Sequence, residues 1–496
     1  MIIKNNKDEF ASYLTDAANF KGAAEAVYFP ESEDDIFKLL EMSRAKKTPV
    51  TISAARTSLT GSAIPQNGII LSMEKLNKIL KIDAERKKVW LQPGVTLADL
   101  HEALAERKLF YPPDPTERNC TIGGTAATNA SGAKTFKYGA TRAFVDSLKI
   151  ILSSGRKIFI ERGKIFADNG KITIPILSGG NLEIVLPDYQ MPPVKNAAGY
   201  FVKKNMDAID LFIGSEGTLG VITEIVLRVI DFPEEIVSGV VFFQNERDAF
   251  SFVEEAREQS YLSREKKTAS EIDALALEFF DSGSLKFLSE DFPNIPPEAE
   301  AAVWFEQDVK LSERENITEK WFEAIELNNG DAENSWIAMS LKEREKFKNF
   351  RHAVSVKVNE YVASKGLRKV GTDAAVPDGK MRKYFYESKK IIVESGIKFI
   401  VYGHIGNSHF HFNMLPENEK EFSAAKEIYA KLCDLAVKMG GTISAEHGIG
   451  KLKRDYFLKM CGEKAIRQMA ELKKQFDPFL ILNPGNIFEK KYLIQI

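Results

Sequence analysis

With 496 residues, 44% of them hydrophobic, the chain is long enough for two or three domains with substantial cores. Its 68 basic and 70 acidic residues give a net charge of −2, which excludes a global preference for nucleic acid or for an anionic membrane surface. The three cysteines, Cys120, Cys433 and Cys461, lie too far apart for an iron–sulfur motif or a disulfide framework, and they suit a reducing compartment.

The N-terminal region has a strand–helix–strand pattern. Residues 25–29 and 49–53 favour strands, and Ser32 is placed to cap a helix that runs to Lys47. The next segment, AARTSLTGSAIP at 54–65, has small and hydroxyl residues whose backbone N–H groups could wrap an oxyanion; an ordinary loop explains it equally well. It matches neither GxGxxG nor GxxxxGK[ST], which argues against nicotinamide and NTP sites.

Two further tracts are rich in small residues. The longer, residues 112–140, reads PPDPTERNCTIGGTAATNASGAKTFKYGA and is too long for a single turn. Such a backbone can lie directly against a large flat ligand, although a Gly-rich connector would have the same composition. Residues 211–222 (LFIGSEGTLGVI) repeat the pattern before a predicted strand (TEIVLRVI). Together with the 54–65 segment, these tracts suggest a long dinucleotide held at several points.

The middle of the chain alternates strands and amphipathic helices. Strands are predicted at 236–243, 301–305 and 397–403, and helices near 246–259, 312–327, 341–365 and 420–439. Residues 289–300 (SEDFPNIPPEAE) read as an exposed loop because of their prolines and acidic side chains.

Four of the six histidines, His404, His409, His411 and His447, fall within 44 residues of one another. The 397–403 strand ends at His404, and a turn then leads into HFHFNML, where alternation places His409, His411 and Asn413 on one face. Two strands joined by a short turn can bring His404 close to His411. Histidines that are simply buried or exposed in strands remain the alternative.

Glu446 and His447 follow the last predicted helix, which Gly440 and Gly441 end. With His404 and His411, Glu446 would supply three ligands and leave room for substrate at a divalent metal. Adjacent residues point different ways, so we expect His447 to act as a base rather than as a ligand.

Several motifs together carry a resemblance. In order they are TSLTGSAIP, PPDP, TIGGTAATNASG, KYG, GSEGTLGVIT, GHIGNSHFHFN, SAEHGIG and LNPGNIF. Their combination over residues 20–488 resembles the FAD-linked oxidase family of D-2-hydroxyacid dehydrogenases. That family includes D-lactate dehydrogenases, the flavin subunit of glycolate oxidase and D-2-hydroxyglutarate dehydrogenase.

The resemblance implies an α+β fold. A two-subdomain FAD-binding domain of the vanillyl-alcohol-oxidase (PCMH) type would occupy residues 1–230, and an α+β cap domain with an antiparallel sheet residues 231–440. Residues 441–496 would return to the FAD domain.

It also implies noncovalent FAD, because Arg56-Thr57-Ser58 stands where covalent relatives carry a flavin-linking histidine. Arg56 would either pair with the pyrophosphate or alter the loop. The expected FAD-binding residues are Ala55, Arg56, Thr57, Ser58, Leu59, Thr60, Gly61, Pro113, Asp114, Thr121, Ile122, Gly123, Gly124, Asn129, Gly132, Tyr138, Gly139, Gly220, Ile222 and Asn483.

In the metal-containing members, the matching residues imply a divalent metal, with zinc the leading expectation, on His404, His411 and Glu446. The resemblance further implies that His447 is the base and that Arg351 binds the substrate carboxylate. A solvated helix face is the alternative for Arg351. The expected catalytic residues are His447, Arg351 and Asn413.

The chain also departs from the family pattern. Asn407-Ser408-His409 stands where the family has Asp-Gly-Asn, so His409 either adds a ligand or shifts the metal preference. Gly371 stands where 2-hydroxyglutarate enzymes have a lysine, and Lys369 lies two residues earlier. A dicarboxylate substrate is therefore less expected than lactate or glycolate.

The favoured function is FAD-dependent oxidation of a small D-2-hydroxy acid to the 2-keto acid. Electrons would leave to a quinone, a cytochrome or an iron–sulfur protein, or directly to oxygen. Two alternatives stay open: a flavin-bearing subunit of a multi-subunit glycolate or lactate oxidase, and a flavin transferase resembling alkylglycerone-phosphate synthases. The N-terminus lacks a signal core and no apolar run could span a bilayer, so we expect a cytoplasmic protein. Association with the inner membrane face and a homodimer both stay open.

Overall fold

The chain begins with a small, mostly parallel sheet in the computed structural model, which describes residues 1–268 and 270–494. The elements are β1 (Ile2–Lys4), α1 (Lys7–Phe10), β2 (Ala26–Phe29), α2 (Glu33–Lys46), β3 (Val50–Ser53) and β4 (Ile69–Ser72). The strand order is β1-β2-β4-β3, and β2, β4 and β3 run parallel. Helix α2 starts where predicted, because the Ser32 side chain accepts a hydrogen bond from Asp35 N. It ends at Lys47, whose backbone is left-handed.

A second, antiparallel sheet follows, with strand order β5-β6-β12-β8-β9. The elements of this region are β5 (Ile79–Asp83), β6 (Lys88–Leu91), α3 (Leu97–Ala105), β7 (Leu109–Phe110), α4 (Ile122–Thr128), α5 (Thr135–Tyr138), β8 (Val145–Ile151), β9 (Lys157–Glu161), β10 (Lys171–Pro175), β11 (Asn181–Val185), β12 (Val221–Arg228) and β13 (Ile230–Asp231). The predicted strand TEIVLRVI is divided, because β13 leaves this sheet and pairs with β7. Helices α4 and α5 lie within the small-residue tract at 112–140, and the tract at 211–222 leads into β12.

The third region is built on an eight-stranded sheet. Its elements are β14 (Glu235–Phe243), α6 (Glu246–Lys266), β15 (Ala276–Asp281), α7 (Ser282–Leu288), β16 (Ala301–Val309), α8 (Arg314–Leu327), β17 (Trp336–Ile337), α9 (Leu341–Ala363), β18 (Val370–Gly371), β19 (Ala374–Ala375), α10 (Met381–Ser395), β20 (Phe399–Gly403), β21 (His409–Met414) and α11 (Glu419–Lys438). The order is β17-β14-β16-β15-β20-β21-β18, and β19 also pairs with β21. The described pairings are antiparallel, and β20 meets β21 with Tyr402 opposite His411.

Two predictions in this region need correction. Helix α6 continues seven residues beyond the predicted 246–259, to Lys266. Its last turns bury Ser260 and Ser263, whose hydroxyls donate to Ala256 O and Ile272 O. These hydrogen bonds allow polar residues to be buried, so the helix continues where the sequence shows no apolar stripe. The predicted exposed loop at 289–300 is irregular, but Phe292 and Ile295 are buried in it.

The end of the chain returns to the first sheet. Helix α12 (Arg454–Phe476) is followed by a segment in which Val50 N donates to Ile481 O at 2.7 Å and Asn483 N donates to Val50 O at 2.8 Å. The Asn483 side chain accepts from Ile52 N at 2.7 Å and donates to Glu216 O at 2.8 Å. Strand β3 is therefore flanked by residues more than 400 positions later.

Apolar packing is continuous through much of the molecule. One buried cluster extends from the second sheet into the eight-stranded sheet, and another covers the face of that sheet under α7 and α9. Phe410 and Phe412 of β21 pack against Phe385 of α10, which leaves His409 and His411 on the opposite face. No helix in the described ranges is long and apolar enough to cross a membrane.

Candidate active site

A cleft lies between the N-terminal sheets and the eight-stranded sheet. Its walls come from the 52–63 loop, from the 115–132 and 216–222 tracts, and from Asn483 of the returning chain end. At one end it meets Arg351, His404, Glu446 and His447. The small-residue tracts, His404 and His447, which are far apart in sequence, thus line one cavity.

Many of the residues expected to bind FAD line this cleft, and the others lie outside its wall. Those that line it are Ala55, Arg56, Thr57, Ser58, Leu59, Thr121, Gly123, Gly124, Gly132, Gly220, Ile222 and Asn483. Those that do not are Thr60, Gly61, Pro113, Asp114, Ile122, Asn129, Tyr138 and Gly139. Tyr138 points elsewhere, because its hydroxyl donates to Asp308 Oδ2 at 2.8 Å.

Small residues line much of the cleft, and neighbouring groups hold their backbone in place. Helix α4 is capped by the Thr121 side chain, which accepts from Gly124 N at 3.2 Å. A Cβ on Gly132 would lie 2.1 Å from Asp114 O, so only glycine allows this approach. Burial opposes ionisation of Asp114, but the Lys134 ammonium at 3.2 Å lowers its pKa to about 2. Asp114 therefore does not line the cleft but stabilises the 112–140 tract through its ion pair with Lys134.

Arg56 could either pair with the pyrophosphate or shape the loop, and its contacts favour the second role. Its guanidinium donates to Glu74 Oε1 at 2.9 Å and to Ala54 O at 2.6 Å, and lies 4.0 Å from the centre of the Tyr13 ring. Its backbone φ is +59°, a conformation that non-glycine residues adopt rarely.

The histidine cluster forms around Glu446. Nε2 of His404 lies 3.2 Å from Glu446 Oε2, and Nε2 of His411 lies 3.4 Å from Glu446 Oε1. Ligand atoms of His404, His409, His411 and Glu446 all lie within 4.8 Å of one another. Imidazole and carboxylate donors at this spacing are suited to a divalent transition metal. His404 joins the group from beyond the end of β20, and His409 and His411 from β21.

Each of the two predicted histidine ligands is held from its other nitrogen. His404 Nδ1 lies 2.6 Å from Glu278 Oε1, and His411 Nδ1 lies 2.9 Å from Thr372 O. Burial opposes ionisation of Glu278, but His404 and Arg351 lower its pKa to about 2. Burial opposes protonation of His404, but the Glu278 and Glu446 carboxylates together raise its pKa above the usual value. Such outer partners fix the ring orientation of metal-binding histidines.

Lys195 is a site residue that sequence reasoning missed. Its ammonium lies 2.8 Å from Glu446 Oε2 and its side chain is 4% exposed. Burial opposes ionisation of Glu446, but Lys195 and His404 hold its pKa well below its usual range. Nothing in the local sequence PPVKNAAGY marks this lysine as a contact of residues 250 positions away.

Asp373, also missed, orients His447. Asp373 Oδ2 lies 3.1 Å from His447 Nδ1 and accepts from His447 N at 3.0 Å and from Lys453 Nζ at 2.7 Å. Burial opposes its ionisation, but His447 and Lys453 hold its pKa well below its usual range. Asp373, Glu446 and His447 form a second possible donor group, in which Asp373 pairs with Lys453 at 2.7 Å. The side chain of His447 is 28% exposed and lines the cleft, which suits a group that exchanges protons.

Arg351 and Asn413, the other two expected catalytic residues, differ in their position relative to the cleft. Arg351 lines the cleft, with Nε 3.1 Å from Glu278 Oε2 and Nη1 2.8 Å from Thr116 Oγ1. It is therefore an anchored cation and not part of a solvated helix face. Asn413 is buried outside the cleft wall: its amide donates to His411 O at 2.9 Å, and its Oδ1 occupies the space where Gly371 would carry a Cβ.

Comparison with known families matches both halves of the chain. Residues 24–160 match the FAD binding domain model, and residues 232–487 match the model for FAD linked oxidases, C-terminal domain. The chain belongs to the FAD-linked oxidase family. FAD is therefore the cofactor, and the protein is an FAD-linked oxidoreductase. The small residues that line the cleft suit a large flat cofactor.

Several curated relatives align with almost the whole oxidase. Glycolate oxidase subunit GlcD of Bacillus subtilis is 30% identical over 485 residues, which cover 96% of this chain and 92% of the relative. A D-lactate dehydrogenase of Anaerostipes hadrus is 29% identical, covering 95% and 90%. A D-2-hydroxyglutarate dehydrogenase of Stutzerimonas stutzeri is 26% identical, covering 98% and 96%. The alignments therefore span most of each relative.

Solved structures of lower identity share the fold of the oxidase. p-Cresol methylhydroxylase matches with a TM-score of 0.71 at 13% identity, covering 99% of this chain and 94% of that one. An alkyldihydroxyacetonephosphate synthase matches with a TM-score of 0.67 at 16% identity, covering 97% and 82%. These likenesses confirm the predicted α+β fold of the vanillyl-alcohol-oxidase (PCMH) type, with a large antiparallel sheet in the C-terminal domain.

Proposed function

We propose that this oxidase converts a small D-2-hydroxy acid, of the size of lactate or glycolate, to the 2-keto acid. The observation that carries the proposal is the single cleft in which the small-residue tracts meet Arg351, His447 and the His404–Glu446 donor group. The names of the relatives supply the substrate class, because glycolate, D-lactate and D-2-hydroxyglutarate are all 2-hydroxy acids.

The residues at this end of the cleft match the three needs of the reaction. Arg351 would hold the substrate carboxylate through charge-assisted hydrogen bonds, with Glu278 fixing its orientation. His447 would accept the hydroxyl proton at Nε2, since Nδ1 faces Asp373. His404, His411 and Glu446 would hold a divalent ion, for which zinc is the leading candidate.

Proton and electrons leave by separate routes. FAD, when bound, accepts the two electrons as a hydride from C2, and a divalent ion would lower the pKa of the hydroxyl. The chain's own residues then need only to orient the acid, exclude water and take the proton from the hydroxyl oxygen. We propose that FAD is held noncovalently, because Arg56, Thr57 and Ser58 offer no histidine near the loop.

We also propose that residues 1–230 form the FAD domain, 231–440 the cap and 441–496 the segment that returns to the FAD domain. The supporting observation is that β14 to β21 form one sheet, whereas Ile481 and Asn483 contact β3. The electron acceptor would be a quinone, a cytochrome or an iron–sulfur protein. We propose cytoplasmic residence on the sequence evidence given above.

Anaerobic mixing tests the function directly. Purified flavoprotein is mixed with D-lactate, L-lactate, glycolate and D-2-hydroxyglutarate, and flavin absorbance is followed. We expect D-lactate or glycolate to bleach the flavin and L-lactate to bleach it much more slowly. Lack of bleaching by every acid in the panel would refute the proposal.

A second candidate is a flavin-bearing subunit of a larger hydroxy-acid oxidase, favoured by the similarity to the Bacillus subtilis relative, which is a glycolate oxidase subunit. The same experiment separates the two. Bleaching by the isolated chain supports an autonomous oxidase, whereas bleaching that requires added cell extract supports the subunit. The Arg351→Lys variant tests the role of Arg351 in binding the substrate carboxylate. It keeps the positive charge but loses the planar guanidinium, so flavin bleaching should need a higher acid concentration.

A further inference from the structure

The histidines around Glu446 share one mode of support. His404 and His411 each turn Nε2 toward Glu446 and rest Nδ1 on an outer oxygen, of Glu278 and of Thr372 respectively. An imidazole held in this way has a fixed orientation, and its inner nitrogen is directed at a common point.

His409 is oriented in a similar way, but its two ring nitrogens have exchanged roles: Nδ1 faces the group and Nε2 faces outward. Nδ1 lies 3.4 Å from Lys195 Nζ, and Nε2 lies 3.1 Å from Asp373 Oδ1, an approach that falls short of full hydrogen-bond alignment. A lysine ammonium can only donate, so Nδ1 of His409 carries the lone pair and Nε2 carries the proton. The lone pair therefore points to the inside of the group and the N–H points to a carboxylate on the outside.

Lys195 shows that the interior of the group accommodates a cation. Its ammonium contacts both Glu446 and His409, and its side chain is only 4% exposed. His409 itself is completely buried, with ring centres 5.2 Å from His404 and 4.5 Å from His411. A fully buried imidazole facing a positive charge is arranged to donate its lone pair and not to accept a proton.

We propose that His409 is a third histidine ligand, so that the ion is held by His404, His409, His411 and Glu446. This inference rests on the metal site of the proposed function but not on its substrate. Four protein ligands complete the coordination that zinc prefers, and substrate oxygen would enter by expansion to five. Three imidazoles and one carboxylate favour zinc, cobalt or nickel over magnesium or calcium.

X-ray absorption on the wild-type holoprotein tests this ligand set without mutation or substrate. The protein is reconstituted with one equivalent of Zn²⁺, and the imidazole scattering at the zinc edge is fitted. We expect three imidazoles and one carboxylate. Two imidazoles would overturn the proposal, even if hydroxy acids still bleach the flavin. Three imidazoles without bleaching by any acid would support the ligand set and refute the proposed activity.

A pair of variants provides an independent measurement. In His409→Asn we expect Zn²⁺ affinity, measured by competition with a chromophoric chelator, to fall at least tenfold (about 10–100-fold is typical even for outer partners). The matched control is His101→Asn: His101 lies in α3 with Nε2 3.1 Å from Tyr111 O, outside the donor group, and should keep wild-type affinity. Equal affinity of the His409 variant and the wild type would refute the assignment. Flavin content monitors folding, and if the variant loses FAD the absorption experiment alone decides.

Discussion

Glu278 is the carboxylate on which two site residues converge. It contacts His404 Nδ1 at 2.6 Å and Arg351 Nε at 3.1 Å. Its pKa falls from 4.5 to about 2 on folding, because His404 and Arg351 outweigh the cost of burial. The folded state therefore gains stability from this group above pH 4.5 and loses it as the pH falls toward 2.

Glu278→Gln keeps the shape but removes the charge. We expect zinc affinity to fall by about 10–100-fold, because His404 loses its outer carboxylate. Stability at pH 7 should fall by about 3 kcal/mol, the equivalent of the pKa difference, and the difference should shrink toward pH 3. Chelator competition and urea unfolding at the two pH values measure the effects.

A surface variant is the control for this prediction. Glu345 is 67% exposed and pairs with Lys348, so Glu345→Gln should change stability by less than about 1 kcal/mol at either pH. A Glu278 variant that behaves like the Glu345 variant would show that the buried contacts carry no net free energy.

Replacement of Lys195 should change zinc affinity in the opposite direction from replacement of Glu278. Its ammonium neutralises Glu446 in the absence of an ion, and a divalent ion would have to share that charge. We expect Lys195→Met to raise zinc affinity by about tenfold, because close like charges repel more strongly in a buried site than in water. Isothermal titration with Zn²⁺ measures it, and a fall in affinity would show instead that Lys195 holds Glu446 in place.

Local spacing predicted the histidine cluster but not its surroundings. Alternation in β21 gives the face on which His409 and His411 lie, and a short turn gives the proximity of His404. Alternation does not give depth along a strand, which is why Asn413 was expected in the site but is buried behind His411. Glu278 interrupts the apolar run ALALEFF at residues 274–280 and could have been noticed for that reason. Lys195 and Asp373 carry no comparable local signal.

At the scale of elements, β16 contains a buried carboxyl group. Glu306 is 1% exposed, and within residues 1–268 and 270–494 neither of its carboxyl oxygens has a hydrogen-bond partner. Burial raises its pKa above 4.5. The unfolded chain therefore ionises first as the pH rises, and the folded state loses stability through the interval up to the raised pKa.

Glu306→Gln should remove the loss of folding stability that arises because burial opposes ionisation of Glu306. We expect the variant to be more stable than the wild type by about 1–3 kcal/mol at pH 8, and the advantage to disappear below pH 4.5. Thermal unfolding at pH 8 and pH 4 measures it. Glu298→Gln, at an exposed position, is the control and should change little at either pH. Lower stability of the Glu306 variant at pH 8 would mean that attraction to Lys134 and Lys348 outweighs burial.

Most elements could be predicted because their signals are local. Helix α11 was predicted at 420–439 and runs from Glu419 to Lys438, since Asn418 caps it and glycines follow it. The end of α6 could not be predicted, because its buried serines are satisfied by contacts that form only in the folded chain. The division between β12 and β13 likewise depends on β7, more than 100 residues earlier.

At the scale of the molecule, Asn483 connects the chain end to the FAD domain. Its side chain bonds Ile52 N and Glu216 O, and its φ is +40°. Asn483→Ala should lower stability by about 2–3 kcal/mol, from two lost hydrogen bonds and a strained backbone, and should weaken FAD retention. Asn483→Gly removes the side chain without the strain and separates the two causes. FAD content after dialysis and the unfolding midpoint are measured; wild-type values for both variants would contradict the prediction.

The long-range arrangement followed from family resemblance and not from local pattern. No periodicity in the sequence indicates that Val50 pairs with Ile481, since contacts between such distant residues leave no local trace. The same holds for the carboxylate of Glu216, which accepts from Ile449 N at 2.7 Å and from Gly450 N at 2.9 Å, just after His447.

The donor group draws its residues from separate parts of the chain: His404 follows β20, His409 and His411 lie in β21, and Glu446 follows α11. An ion bound there would act as a removable crosslink between these segments, and its binding free energy would add to that of folding. The rate at which a chelator extracts the ion would then measure how often the segments separate in the native protein. Comparing that rate with amide hydrogen exchange would show whether the site opens alone or only when the two domains part.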